Sequence, residues 1–299
     1  MKLHSSFFAA AFSLALVSGC ESVPVDDVDE GPVPVRIASA VTKVSGERFE
    51  EGDAVGIFAV NAAGTDGSWI PGVFAPGGNH LDNVKFTLSG TAWAAEREYY
   101  WKDDRTPAEF YCYFPYRQTV GSAGELSFEI PSDQSSAAAF KSAEILWGKT
   151  SLTDPTEECV LINTTHRMSQ IAVSVVPGKG YTEETLRAEL ESVRINSLKC
   201  GAVLNLSDGS LTAAGEQKDI IPYRDNGIWR AMVVPQTVTD RVLVTLVVNG
   251  MERKLTASID FTSNSRKKCT LTINRISEGV NVGIGGWEDD DTDYGGVLN

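Results

Sequence analysis

Over most of its length the chain repeats apolar residues with a period of two, and that constrains its fold more than any other feature. Leu126, Phe128 and Ile130 alternate with Ser127 and Glu129, and Leu255, Ala257, Ile259 and Phe261 alternate with Thr256, Ser258 and Asp260. Cys269, Leu271 and Ile273 form a third row, and Ile171, Val173 and Val175 a fourth. Successive side chains of a strand point to opposite faces, so each row is a strand with one face buried. Asp208-Gly209, Asn226-Gly227 and Asn249-Gly250 fall between such runs. Each favours the type I′ turn whose twist suits an antiparallel hairpin. The chain therefore reads as all-β, built of sandwiches.

Helical signals are few. Thr182 caps a short segment ending at Leu190, with Glu183 and Glu184 in its first turn and Leu186 and Leu190 on one face. The Ala-rich stretch Ser136–Ala143 adds a turn or two.

The strand pattern divides in two. Seven runs precede residue 160: Val35–Val41, Ala54–Val60, Val84–Ser89, Glu98–Lys102, Glu109–Phe114, Leu126–Ile130 and Glu144–Lys149. Eight strands follow: Ser169–Val176, Ser192–Ser197, Ala202–Leu206, Asp219–Tyr223, Ile228–Val234, a hairpin over Arg241–Phe261, and Lys268–Asn274. The expected modules are residues 35–160 and 161–299, joined at the polar stretch Asp154–Glu158. The run Val242–Val248 is apolar on both faces, so a domain, a subunit or its own loops must cover the second face.

Residues 1–19 carry the pattern of an exported lipoprotein's signal. Lys2 leads into an apolar run from Phe7 to Leu16, too short to span a bilayer, followed by Val17-Ser18-Gly19-Cys20. That ending resembles a lipobox, which implies cleavage before Cys20, acylation of that cysteine and outer-membrane anchoring. Loss of residues 1–19 removes Lys2 and no acid, taking the formal charge from −14 to −15. So acidic a chain is a poor partner for nucleic acid or anionic lipid, which leaves attachment to the acyl chains. Residues 20–34, with three prolines and five acids, read as an extended tether.

No catalytic or metal constellation emerges. GxSxG, HExxH, P-loop and CxxC patterns are absent from the sequence. His166 precedes an alternating run and suits a packing or hydrogen-bonding role. Asp289, Asp291 and Asp293 have the spacing of a calcium loop, but Tyr294 stands where that loop needs glycine. Cys112 and Cys269 sit within strand patterns as small buried hydrophobes. No cofactor is expected, and the chain does not read as an enzyme.

Five segments in order then carry a family resemblance: Thr42-Lys43 with Phe49–Phe58, Tyr99-Tyr100-Trp101 before Phe110–Tyr116, Thr165–Val173, Val234-Pro235-Gln236, and Ile284–Trp287. Across nearly the whole mature chain these resemble the fimbrillins, lipoprotein-derived subunits of type V pili. The resemblance implies two tandem transthyretin-like Greek-key β-sandwich domains and a structural or adhesive place in a surface fimbrium. It implies assembly with other fimbrial subunits by strand exchange. An Arg- or Lys-directed protease cuts near the N-terminus, the first strand leaves, and a neighbour's strand fills the groove. Here the leaving strand would be Val33–Val41, and Arg36 is either the processing site or an outward-facing residue; Lys43 and Arg48 are rival sites. Val280–Asn299 would supply the donor, although its acids Glu288–Asp291 suit a groove poorly and leave stalk, tip and anchor roles open. The alternative is a monomeric glycan-binding surface lipoprotein using Trp69 and Trp93 as stacking platforms.

Overall fold

The computed structural model describes residues 31–41, 49–121, 125–275 and 296–298, the last three and 39–41 as backbone only. The described residues from Pro32 onward form one compact unit. Cys20, the tether up to Glu30, Lys43, Arg48 and the acidic stretch 288–293 lie outside the described residues.

The first sheet has seven strands: β1 (Arg36–Val41), β2 (Ala54–Asn61), β3 (Leu81–Ser89), β4 (Ala92–Ala95), β5 (Ala108–Phe114), β7 (Leu146–Lys149) and β8 (Cys159–His166). Their spatial order is β1-β8-β7-β5-β2-β3-β4. β2 and β5 at its centre are buried on both faces. Phe58, Val60, Tyr111 and Tyr113 enter one apolar cluster, while Val55, Ile57, Ala59, Phe110 and Cys112 enter another. Gly56 is required here, since a Cβ would lie 2.1 Å from the Tyr113 ring. Tyr113 donates its hydroxyl to Asn83 Oδ1 at 2.7 Å.

Two further sheets share the larger cluster. One runs β11 (Leu211–Ile220), β10 (Leu190–Asn205), β14 (Gln236–Val248) and β15 (Met251–Phe261), with β6 (Glu125–Glu129) also paired to β10. The other runs β12 (Tyr223–Asp225), β13 (Ile228–Val233), β9 (Ser169–Pro177), β16 (Ser265–Ile273) and β17 (Gly296–Leu298). Helices α1 (Ala137–Ser142) and α2 (Glu183–Glu189) fall where the sequence places them, and Thr182 closes the expected cap with Thr185.

Residue 160, where the sequence places a module boundary, lies inside β8, and the loop 154–158 enters that strand. β6, which precedes it in sequence, completes the β10 sheet through Leu126↔Leu204 and Phe128↔Ala202.

Local departures have local causes. The expected strands at 192–197 and 202–206 are one long β10, bent by register shifts around Ser197, whose φ is +54°. The expected strand 219–223 breaks at Pro222, which has no N–H to give a ladder. Asn226-Gly227 and Asn249-Gly250 have positive φ at both positions, as type I′ requires. At Asp208-Gly209 only the glycine does, and the connection is a wider loop closed by Gly209 N–H to Asn205 O at 2.8 Å. Within Val242–Val248, register shifts on either side of Arg241 and Val242 make Leu243 an inserted residue, so Leu243 and Val244 are both buried.

Candidate strand-exchange groove

The N-terminal segment is held along two different neighbours. Beyond Arg36 it runs parallel to β8, from Arg36↔Cys159 to Val41↔Thr164. Before Arg36 it bonds the segment after β4. Val35 N–H donates to Tyr99 O at 2.7 Å and Trp101 N–H to Val33 O at 2.9 Å, with Pro34 and Tyr100 paired antiparallel between them. The first sheet therefore curls until β1 approaches β4, and Val33–Val41 bridges what remains open. Sequence expects Glu98–Lys102 as a regular strand; it is instead a short pairing whose partner is the N-terminal segment.

Side chains alternate as a strand in a groove demands. Val35 and Ile37 are 7% and 4% exposed, whereas Arg36 between them is exposed. Both aliphatic groups, with Val33 beside them, pack into the cluster of Val55, Ile57, Leu81, Phe86, Trp101, Phe110, Val160 and Ile162. Each such burial is worth roughly 1.5–3 kcal/mol. Beside the strand a concavity of about 630 Å³ is lined by Ile37, Phe86, Trp93, Tyr99 and Cys159 among others. A short segment that fills an apolar slot and makes backbone bonds on both sides can be replaced by any chain of like pattern.

Arg36 donates Nη1–H to Glu157 O at 2.8 Å. It thus stands on the outer surface of the ladder, at the point where the segment passes from one neighbour to the other. The opposite groove wall, β8, is missing from the strand set read in the sequence. Its signal is present: Val160, Ile162, Thr164 and His166 are buried in alternation. Reading Asp154–Glu158 as a junction hides it.

Other singled-out residues take supporting places. His166 is buried, its Nδ1 2.7 Å from Glu144 Oε1. Trp93 is half-buried and packs edge-on to Phe49, with centroids 4.9 Å apart, and Trp69 is also half-buried. The two tryptophans do not form one platform: Trp93 is on β4 and Trp69 in the β2–β3 loop. Cys112, Cys200 and Cys269 are buried and Cys159 is exposed, and none of the four is in a disulfide. Burial pushes the Cys112 thiol up to about 12. No cluster of three or more His, Cys, Asp or Glu residues with metal-ligand geometry occurs among the described residues.

Comparison with known proteins agrees with this architecture. The family model described as fimbrillin-like matches residues 42–287. The candidate fimbrium subunit Fim1C of Bacteroides uniformis is 23% identical over 305 aligned positions, covering 94% of each chain. Among solved structures, a candidate cell adhesion protein of Bacteroides uniformis superposes with a TM-score of 0.63 at 21% identity, over 83% of this chain and 94% of that one. One from Bacteroides ovatus gives 0.64 at 15% identity, over 81% and 92%. At such identities the structural likeness establishes the fold.

Proposed function

The chain belongs to the fimbrillin-like family, and from that premise we propose that it is a structural and adhesive subunit of a surface fimbrium that assembles by strand exchange. In this reading Cys20 carries the lipid that holds the subunit at the outer membrane. An Arg- or Lys-specific protease frees the N-terminal segment. A strand from another fimbrial subunit then enters the groove. The observation that carries the reading is the placement of Val33–Ile37, apolar inward at every second residue and bonded through its backbone to Tyr99–Trp101.

The candidate cut sites differ in what they release. A cut after Arg36 removes Val33 and Val35 but leaves Ile37 and the rest of β1 on β8. A cut after Lys43 or Arg48 frees Ile37 as well, and with it the whole of β1.

The chain also contains a donor of matching pattern. Val280-Asn281-Val282-Gly283-Ile284 repeats the spacing and identity of Val33, Val35 and Ile37 in Val33-Pro34-Val35-Arg36-Ile37. It lies ahead of the acids at 288–291, so those acids need not enter a groove. A donor of this sequence would place the same three aliphatic groups into the same cluster, and exchange would cost little burial.

Limited trypsin treatment of a soluble form beginning at Glu21, with N-terminal sequencing and gel filtration, tests the reading. One cut after Arg36, Lys43 or Arg48 followed by growth into oligomers supports it. A clean release of the segment from a protein that stays monomeric contradicts assembly by this chain alone.

A further inference from the structure

A small cavity lies away from the groove, where Glu144, His166, Gln170, Met232 and Arg266 converge. These residues come from the segment just before β7, the end of β8, β9, β13 and β16, so the cavity sits where the first sheet meets the β9–β16 sheet. Its volume is about 30 Å³, above the ~10–15 Å³ that a single water requires. His166 and Gln170 are each 7% exposed.

Three buried polar atoms on its lining residues have no protein partner: His166 Nε2, Gln170 Oε1 and Arg266 Nε. Their chemistry can be read one atom at a time. Glu144 as a carboxylate can only accept, so His166 donates Nδ1–H to it, and in that tautomer Nε2 is an acceptor. Gln170 Oε1 is a second acceptor. Arg266 Nε–H is a donor and cannot be anything else.

Two acceptors and one donor call for a ligand with two protons to give and a lone pair to receive. Water has that valence. A metal cation is opposed by the Arg266 guanidinium and cannot accept its N–H. An anion is opposed by Glu144 and offers nothing to Nε2 or Oε1. We propose that this cavity is an ordered-water site. The bound water donates to His166 Nε2 and Gln170 Oε1, accepts from Arg266 Nε, and joins the Glu144–His166 pair to β9 and β16. Leaving three buried polar atoms without partners would be costly, whereas a bridging water satisfies all of them.

A crystal structure at 1.5 Å or better tests this, paired with the same crystals of Gln170→Met. The expected result in the unaltered protein is a water within about 3.2 Å of all three atoms. In Gln170→Met, which keeps the side-chain length and removes the acceptor, that density is lost or displaced. The proposal is overturned by a dry cavity, by an ion at coordination distance, or by direct pairing of the three atoms with protein groups. Density that survives unchanged in Gln170→Met overturns the assignment of Oε1 as its partner.

Discussion

Arg36 stands directly opposite Cys159 in the parallel ladder between β1 and β8, both of them exposed. The pair marks the place where the N-terminal segment leaves its antiparallel contact with Tyr99–Trp101 and takes up β8. Nothing in the spacing of these residues along the chain announces the relationship, since they are joined only by folding. It supplies a chemical handle on the proposed exchange.

Opposed residues on neighbouring strands fall within the separation that a disulfide tolerates. Arg36→Cys is expected to oxidise with Cys159 and fasten the segment to its groove. A protease cut after Lys43 should then release no fragment until reductant is added. Alkylation at pH 8 with mass spectrometry checks the starting thiols. Cys159 should label in the native protein, whereas Cys112, whose thiol burial raises to about 12, should label only on unfolding.

Ile37 is the deepest described side chain of the segment. Ile37→Ala should cost roughly 2–4 kcal/mol in urea denaturation, as truncation of a buried aliphatic does. The same change should hasten trypsin cleavage at Arg36, because the strand must lift before a protease can hold it extended. Arg36→Gln should leave stability within about 0.5 kcal/mol and abolish that cut.

The Glu144–His166 contact separates charge from hydrogen bonding. Glu144→Gln keeps an acceptor for Nδ1–H and should be tolerated. Glu144→Leu leaves that donor buried and unpaired, at a cost of about 1–3 kcal/mol. Denaturation midpoints of the two variants, measured at neutral pH, give the contrast.

Asp103 caps the turn that follows Trp101. Its carboxylate accepts from the backbone N–H groups of Thr106 at 2.6 Å and Arg105 at 3.0 Å, and from the Thr106 hydroxyl at 2.8 Å. The Thr106 backbone bond first, then the hydroxyl, hold it below its ordinary range. Because the folded value is depressed, the stabilisation is complete above the unfolded value of about 3.9 and is lost as pH falls through the lower folded one. Asp103→Ala should therefore be less stable than the unaltered protein at pH 7, by at most about 1 kcal/mol because solvent screens the exposed carboxylate. The gap should begin to narrow below pH ~3.9 and close as pH falls through the lower folded value, where the unaltered protein loses the same bonds. Thermal unfolding across that range measures it.

The alternation of Leu255–Phe261 and Cys269–Ile273, the two Asn-Gly turns and the Thr182 cap were legible because each rests on local geometry. β8 was not, since its apolar residues follow a polar loop that reads equally well as a junction. The two walls of the groove were also out of reach. Tyr99–Trp101 and Cys159–Thr164 lie about 60 residues apart in the chain, and only the curl of the sheet makes them neighbours of one segment. Cys20 and the acidic tail lie outside the described residues, so the lipid anchor rests on sequence pattern.

The most direct test of strand exchange uses the register itself. If Val280–Ile284 of one copy replaces Val33–Ile37 of another, Gly283 takes the place of Arg36 and comes to lie opposite Cys159. A Gly283→Cys form with Cys20 replaced, treated with protease and then mild oxidant, should give disulfide-linked multimers on a non-reducing gel. None should form before cleavage or in a Cys159→Ser background. Release of the N-terminal segment with Cys159 still freely alkylated and the protein monomeric would contradict the account.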